Sequence, residues 1–191
     1  MAAIVNPDAG TVIVTGGLSG TANLTTVESA ILAGDGGVGA WLATTPLPTE
    51  RNDHASVGFN GFIYVLGGRG GATGGTYTNN VNAAPMAPGS QDGGMVGTWL
   101  TTFLPTGQSA NTGVANNGFL YSIGGLSFSA TYLNEVRVAT IAANGSVGTF
   151  SQTTAFTGPR ADPAAVVYNG FHNLAGGGAG TASRNDVKYA P

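Results

Sequence analysis

All the charge on this 191-residue chain sits on six basic and nine acidic side chains, so chemistry beyond neutral hydrogen bonding has few places to occur. Arg51, His54, Arg69 and Arg160 form the cationic set. Gathered near one axis, they would hold a small anion or a glycan through charge-assisted hydrogen bonds, which are stronger than neutral ones. Asp53 and Asp162 add carboxylates to that set, and Glu50 stands one short link from Asp53. Glu50 and Asp53 can be read as an acid-base pair, yet nearby arginines favour their ionised forms and an ion-paired role. Tyr77, Phe128 and Tyr132 are aromatic side chains able to stack on a sugar or a partner. Arg51 and Arg160 also have an architectural reading, in which each ties neighbouring units together through backbone carbonyls.

The remaining chemistry narrows quickly. His54 and His172 are the two histidines; they fall on different units without a convergent carboxylate and make no metal site. There is no cysteine, which excludes disulfides and thiolate ligands and fits any redox compartment. No GxSxG elbow offers a serine nucleophile. The stretch from Arg69 to Thr78, RGGATGGTYT, has the glycine content of a phosphate cradle, but such loops act with a helix N-terminus, and no helical period follows. Ser90 to Gly94, followed by Thr98 and Trp99, resembles the Asp-box turn of sialidases but has extra residues before Thr98; as a plain hairpin turn it leads into a strand. The expectation is a chain with no catalytic set and no cofactor.

What must position these residues is a repeat. Its clearest copy is HASVGFNGFIYVLGG, from His54 to Gly68. Asn60-Gly61 favours the positive φ angles of a two-residue type I′ turn, which predicts one strand over Ala55 to Phe59 and its antiparallel partner over Phe62 to Leu66. Weaker copies start at Ala2, Asn111 and Asp162. The turn glycines Gly10, Gly61, Gly118 and Gly170 are spaced 51, 57 and 52 residues apart, and the paired glycines beginning at Gly16, Gly67, Gly124 and Gly176 repeat those intervals. Each copy then carries a third strand around Val27, Val81, Val136 or Val187. A fourth strand opens at Trp41, Trp99 or Phe150, aromatic positions expected in the core between units. The fourth copy stops before this element.

A unit of about 50 residues with four short strands predicts a blade of a β-propeller. Arg51, His54, Tyr64, Gly67, Gly68 and Trp99 resemble the kelch repeat. Other copies depart from it, with Phe150 for Trp and Asn173 where Tyr64 would be. The fold expected is an all-β, kelch-like propeller of four blades of four antiparallel strands, the last lacking its outer strand, or half of a larger propeller. It forms one domain over 1–191 with repeats at about 1–49, 50–106, 107–158 and 159–191. Pro85 and Pro88 predict that the third strand of the second repeat lies toward an edge, since proline cannot donate to the ladder.

Alternate connections of antiparallel strands emerge at opposite ends. The tight turns share one face. The longer links and loops share the other, with Glu50, Arg51, Asp53, His54, Arg69, Arg160, Asp162 and Arg184 there or at its rim. That long-loop face is the expected functional surface. A net charge of −3 without a basic run argues against nucleic acid. No apolar run reaches the ~18 residues of a membrane span, and no export signal opens the chain. The low-lysine, Thr/Asn/Gly-rich composition leans toward a cell-surface or secreted setting, and Asn23 and Asn144 each match a glycosylation pattern. The expected role is a non-enzymatic recognition or assembly module that binds a protein or glycan or builds a surface structure. The alternative is a carbohydrate-active enzyme of kelch type that needs further blades. Expected partners are other copies of the chain, or missing blades of a longer chain, which would cover the two end blades.

Overall fold

The computed structural model describes residues 1–71, 75–87 and 95–191. It is an all-β propeller portion of four blades, and no helix occurs among the described residues. Blade one comprises Ala2–Asn6, Thr11–Thr15, Val27–Ile31 and Leu42–Ala43. Blade two comprises Ala55–Phe59, Phe62–Leu66, Asn80–Pro85 and Leu100–Phe103. Blade three comprises Thr112–Asn116, Phe119–Ile123, Val136–Thr140 and Ser151–Gln152. Blade four has three strands, Ala164–Tyr168, Phe171–Ala175 and Val187–Ala190. In every blade the strands lie side by side in chain order, all antiparallel.

The local chemistry explains the first hairpin of each blade. Asn60 and Gly61 adopt φ of 47° and 76°, as the type I′ turn requires, and Asn117-Gly118 and Asn169-Gly170 repeat the pair. The third strand of blade two corrects the sequence expectation, because Asn80–Pro85 is interior, flanked by Phe62–Leu66 and Leu100–Phe103. Pro85 is tolerated because it is the last residue of that strand and lies beyond the pairing with the outer strand, which runs over Asn80 to Ala83. Pro88 and the Asp-box-like segment Ser90 to Gly94 lie outside the described residues, as does part of the glycine-rich loop.

Hydrophobic burial takes place between blades. Ile13, Val27 and Leu47 of blade one meet Ile63, Val65, Ala84 and Val96 of blade two. Tyr64, Leu66 and Val81 of blade two meet Leu120, Ala139 and Phe150 of blade three. Val114 and Ile123 of blade three meet Leu174 of blade four. The first strands of successive blades also pack on one another, and no comparable packing joins those of blades one and four. The four blades therefore form an open arc. Its two outer faces remain in solvent, with Val5 56% exposed on blade one and Val166 58% exposed on blade four.

Trp41 is a second correction. Phe150 is buried against blade two, and Trp99 donates its indole N–H to the Thr45 carbonyl of blade one at 3.2 Å. Trp41, at the same place in blade one, has no preceding blade to meet and is 47% exposed.

Candidate functional site

The links between blades hold five of the fifteen charged residues, and each link makes the same connection with different atoms. The Arg51 backbone belongs to blade one, where its N–H donates to Leu24 O and its carbonyl accepts from Gly17 N–H. Its side chain belongs to blade two, donating to Gly67 O at 3.1 Å, Asn80 O at 3.3 Å and Asn82 Oδ1 at 2.7 Å. Arg160 repeats the arrangement one seam further on. Its backbone bonds Leu133 and Gly125 of blade three, while its guanidinium donates to Gly176 O at 2.9 Å and to both oxygens of Asp186 at 2.8 and 3.2 Å. Arg51 is fully buried and Arg160 nearly so. Burial without a carboxylate partner draws the Arg51 pKa down to about 10, and its hydrogen bonds to oxygen keep it a cation at neutral pH.

These two arginines are therefore not part of an exposed anion-binding face. His54 is also withdrawn. It is 6% exposed, its Nε2 lies 2.8 Å from Thr15 Oγ1, and burial beside the Arg51 charge and the chain N-terminus lowers its pKa to about 3. A neutral imidazole pinned in the seam between blades one and two supplies no positive charge to a ligand. His172 lies in a different seam, edge-on to Tyr121 with ring centroids 4.5 Å apart, and burial lowers its pKa as well.

The same geometry adds a residue that charge-based reading passes over. Gln108 stands 57 residues after Arg51 and 52 before Arg160, the intervals of the glycine pairs. Its backbone bonds Thr78 and Gly68 of blade two, and its side-chain amide donates to Ser122 Oγ of blade three. The repeat interval carried this signal; the change of residue type concealed it.

Four of the other predicted residues do converge, while Tyr77 lines a separate cleft. Asp53, Arg69, Tyr132 and Asp162 line one open cleft of about 290 Å³ on the long-loop face, together with Ala110, Leu126, Ala161, Gly178 and Gly180. Its floor is built by the repeat. Asp53, Ala110 and Asp162 occupy equivalent places at the entrance to blades two, three and four, each with φ near +50°. The Ala110 N–H donates to Asp53 O and the Asp162 N–H to Ala110 O, both at 2.8 Å, so one hydrogen-bonded path joins three blades. This backbone turns the Asp53 and Asp162 side chains toward solvent, where both residues are exposed.

Arg69 sits at the wall. Its Nε lies 3.8 Å from Asp53 Oδ2, its terminal N–H donates to Tyr77 Oη at 3.1 Å, and its guanidinium lies 5.1 Å from the Tyr77 ring centroid. Tyr77 in turn meets Phe128 edge-on at 6.2 Å. Partial burial and the neighbouring Asp53 charge raise the Asp162 pKa, with Arg69 opposing the shift. Glu50 takes no part, because its carboxylate accepts from Gly71 N–H at 3.2 Å and lines a separate cleft with Thr49, Tyr77 and Asn80. The supposed pair of Glu50 and Asp53 is thus divided between two clefts. With two carboxylates, one guanidinium and a tyrosine, the axial cleft suits a neutral polyhydroxylated ligand or a polar peptide better than an anion. No group of three or more His, Cys, Asp or Glu able to hold a metal occurs among the described residues.

No protein-family model matches the chain, and no curated protein matches it. Among solved structures the chain is similar to YjhT, with a TM-score of 0.70 and 15% identity over 100% of this chain and 64% of that one. At that identity the likeness is one of fold alone. The chain spans just under two thirds of the length of that protein.

Proposed function

We propose that this propeller portion is a non-enzymatic recognition module that binds neutral glycans through the axial cleft of its long-loop face. The observation that carries the reading is the convergence of Asp53, Arg69, Tyr132 and Asp162, drawn from two links and two loops, on one cleft. Carboxylates accept hydrogen bonds from vicinal sugar hydroxyls, a guanidinium donates to ring and hydroxyl oxygens, and a tyrosine ring covers the apolar face of a pyranose. The scaffold beneath is rigid, so little ordering entropy opposes binding. Resemblance to kelch repeats, a cell-surface or secreted setting and a glycan ligand are mutually consistent parts of this reading.

The test is a neutral mono- and oligosaccharide array followed by calorimetry on the strongest ligand. Asp162→Asn and Tyr132→Ala are each expected to weaken binding about tenfold while leaving the thermal midpoint unchanged. Absence of binding to every neutral glycan, or binding that both substitutions leave intact, overturns the proposal.

One observation favours a second reading, a carbohydrate-active enzyme. The Asp162 carboxyl is raised while Asp53 stands beside Arg69, and carboxylates in unlike environments are how a site divides acid and base roles. Turnover of a bound reducing sugar that disappears in Asp162→Asn would replace the binding-only reading with this one.

A further inference from the structure

From the two uncovered faces of the arc we infer that the chain associates head to tail, the outer face of blade four in one copy docking on the outer face of blade one in a second copy. The interior seams define what each face needs. On blade two, Val57, Phe59, Phe62 and Val81 pack toward blade three. By repeat register their counterparts on blade four are Val166, Tyr168, Phe171 and Val187, which are 58%, 71%, 45% and 64% exposed. The surface that covers such a face in the interior is the reverse side of a following blade, anchored by the aromatic residue that opens the fourth strand. Trp99 and Phe150 play that part within the arc. Trp41 is the same anchor without a blade beneath it, on a blade that also exposes Val5 and Val38.

The polar atoms argue for a second copy as the occupant. In the seam between blades one and two, Arg51 spans from Leu24 O to Asn82 Oδ1. Arg184 occupies Leu24's place in blade four, its N–H donating to Gly177 O as that of Leu24 donates to Gly17 O. Glu28 occupies Asn82's place in blade one, one residue past the valine of the third strand. Docking in the repeat register therefore sets Arg184 of one copy about one arginine's length from Glu28 of the next. Neither side chain has an ion-pair partner among the described residues. The glycine pair is open in the same place. A Cβ on Gly16, Gly67 or Gly124 would lie 2.5–2.8 Å from the carbonyl of the next link, whereas at Gly176 the nearest atom is 3.8 Å away. Because the contact is heterologous, it produces a closed ring or an open filament according to the rotation per copy.

Sedimentation velocity of the full chain across a thousandfold concentration range is expected to show a mass that grows with concentration. Trp41→Asp disables the blade-one face, and Tyr189→Asp disables the blade-four face, where Tyr189 follows Val187 by two residues on the same side of the strand and is 75% exposed. Both positions are exposed, so folding is preserved, and each variant alone should be monomeric, weakened about a hundredfold or more. Mixed one to one, they should form a dimer and stop there, because each retains one working face. Glu28→Arg should weaken association about fivefold and Arg184→Glu likewise, with the double exchange restoring it. A wild-type chain that is monomeric throughout, a mixture that stays monomeric, or association that both aspartate variants leave intact overturns the inference.

Discussion

Blades two and four share the marker residues of the repeat and live in different environments. Val81 is fully buried, and Val187, its equivalent, is 64% exposed. Gly67 and Gly176 have φ of 63° and 65°, yet the first is pressed against a carbonyl and a Cβ on the second would make only an ordinary contact at 3.8 Å. Arg51 reaches amide and backbone oxygens inside blade two, whereas Arg160 in blade four meets a carboxylate that it shares with Lys188. The difference lies in the neighbour and not in the strand. A repeat blade has two faces to bury and can bury neither alone, so its stability is a property of the seam.

Three pairs of substitutions and one pH profile can break or sharpen this contrast, and urea denaturation at fixed low protein concentration reads the stability in each. The largest effect is expected from Arg51→Ala, which leaves the Gly67 carbonyl and the buried Asn82 amide oxygen without their donor and should cost about 3 kcal/mol. Arg160→Ala should cost less, because Asp186 is solvent-accessible and keeps Lys188; equal losses would mean that the two sockets do not differ. Gly67→Ala follows at about 3 kcal/mol, combining an unfavourable positive φ with a Cβ placed 2.5 Å from Gln108 O. Gly176→Ala meets the φ penalty without the clash and should cost about 1 kcal/mol.

Val81→Ala should then cost about 2 kcal/mol through the cavity it opens, against less than about 0.5 kcal/mol for Val187→Ala. A pH dependence confined to the first seam completes the contrast. His54 has a folded pKa lowered from 6.5 to about 3, so the unfolded chain binds the proton first as pH falls. The contribution of neutral His54 is present in full above about pH 6.5 and is lost progressively down to about pH 3, with a slope of at most about 1.4 kcal/mol per pH unit. His54→Gln should flatten that part of the profile, and an unchanged slope would exclude His54 as its source.

Sequence carried the blades far better than the cleft. Asn-Gly turns, glycine pairs and a valine in each third strand are local signals with fixed intervals, so their strands could be read directly. Arg51 and Arg160 were legible as architecture because a buried guanidinium needs carbonyls and the glycine pairs supply them at constant spacing. Their assignment to a ligand face, with His54, failed because a residue beside a loop can point inward along the seam. Seam burial depends on partners far along the chain, which is also why Trp41 was read as core and Gln108 was not noticed. Asp53 and Asp162, by contrast, are exposed on the long-loop face because the left-handed backbone at each blade entrance turns them outward.

The three links also carry information about order. Arg51 is matched to the amide oxygen of Asn82, Gln108 to the hydroxyl of Ser122, and Arg160 to the carboxylate of Asp186. If blade three folded into the place of blade two, Arg51 would meet Arg137, which stands where Asn82 does and already holds Glu135 at 2.6 Å. Placing blade four there would confront it with Lys188. Chains of similar repeats are prone to docking the wrong neighbour while they fold, and like charges buried face to face make such an error short-lived. Divergence among the link residues thus gives each seam its own polar pairing, distinct from those of the neighbouring seams.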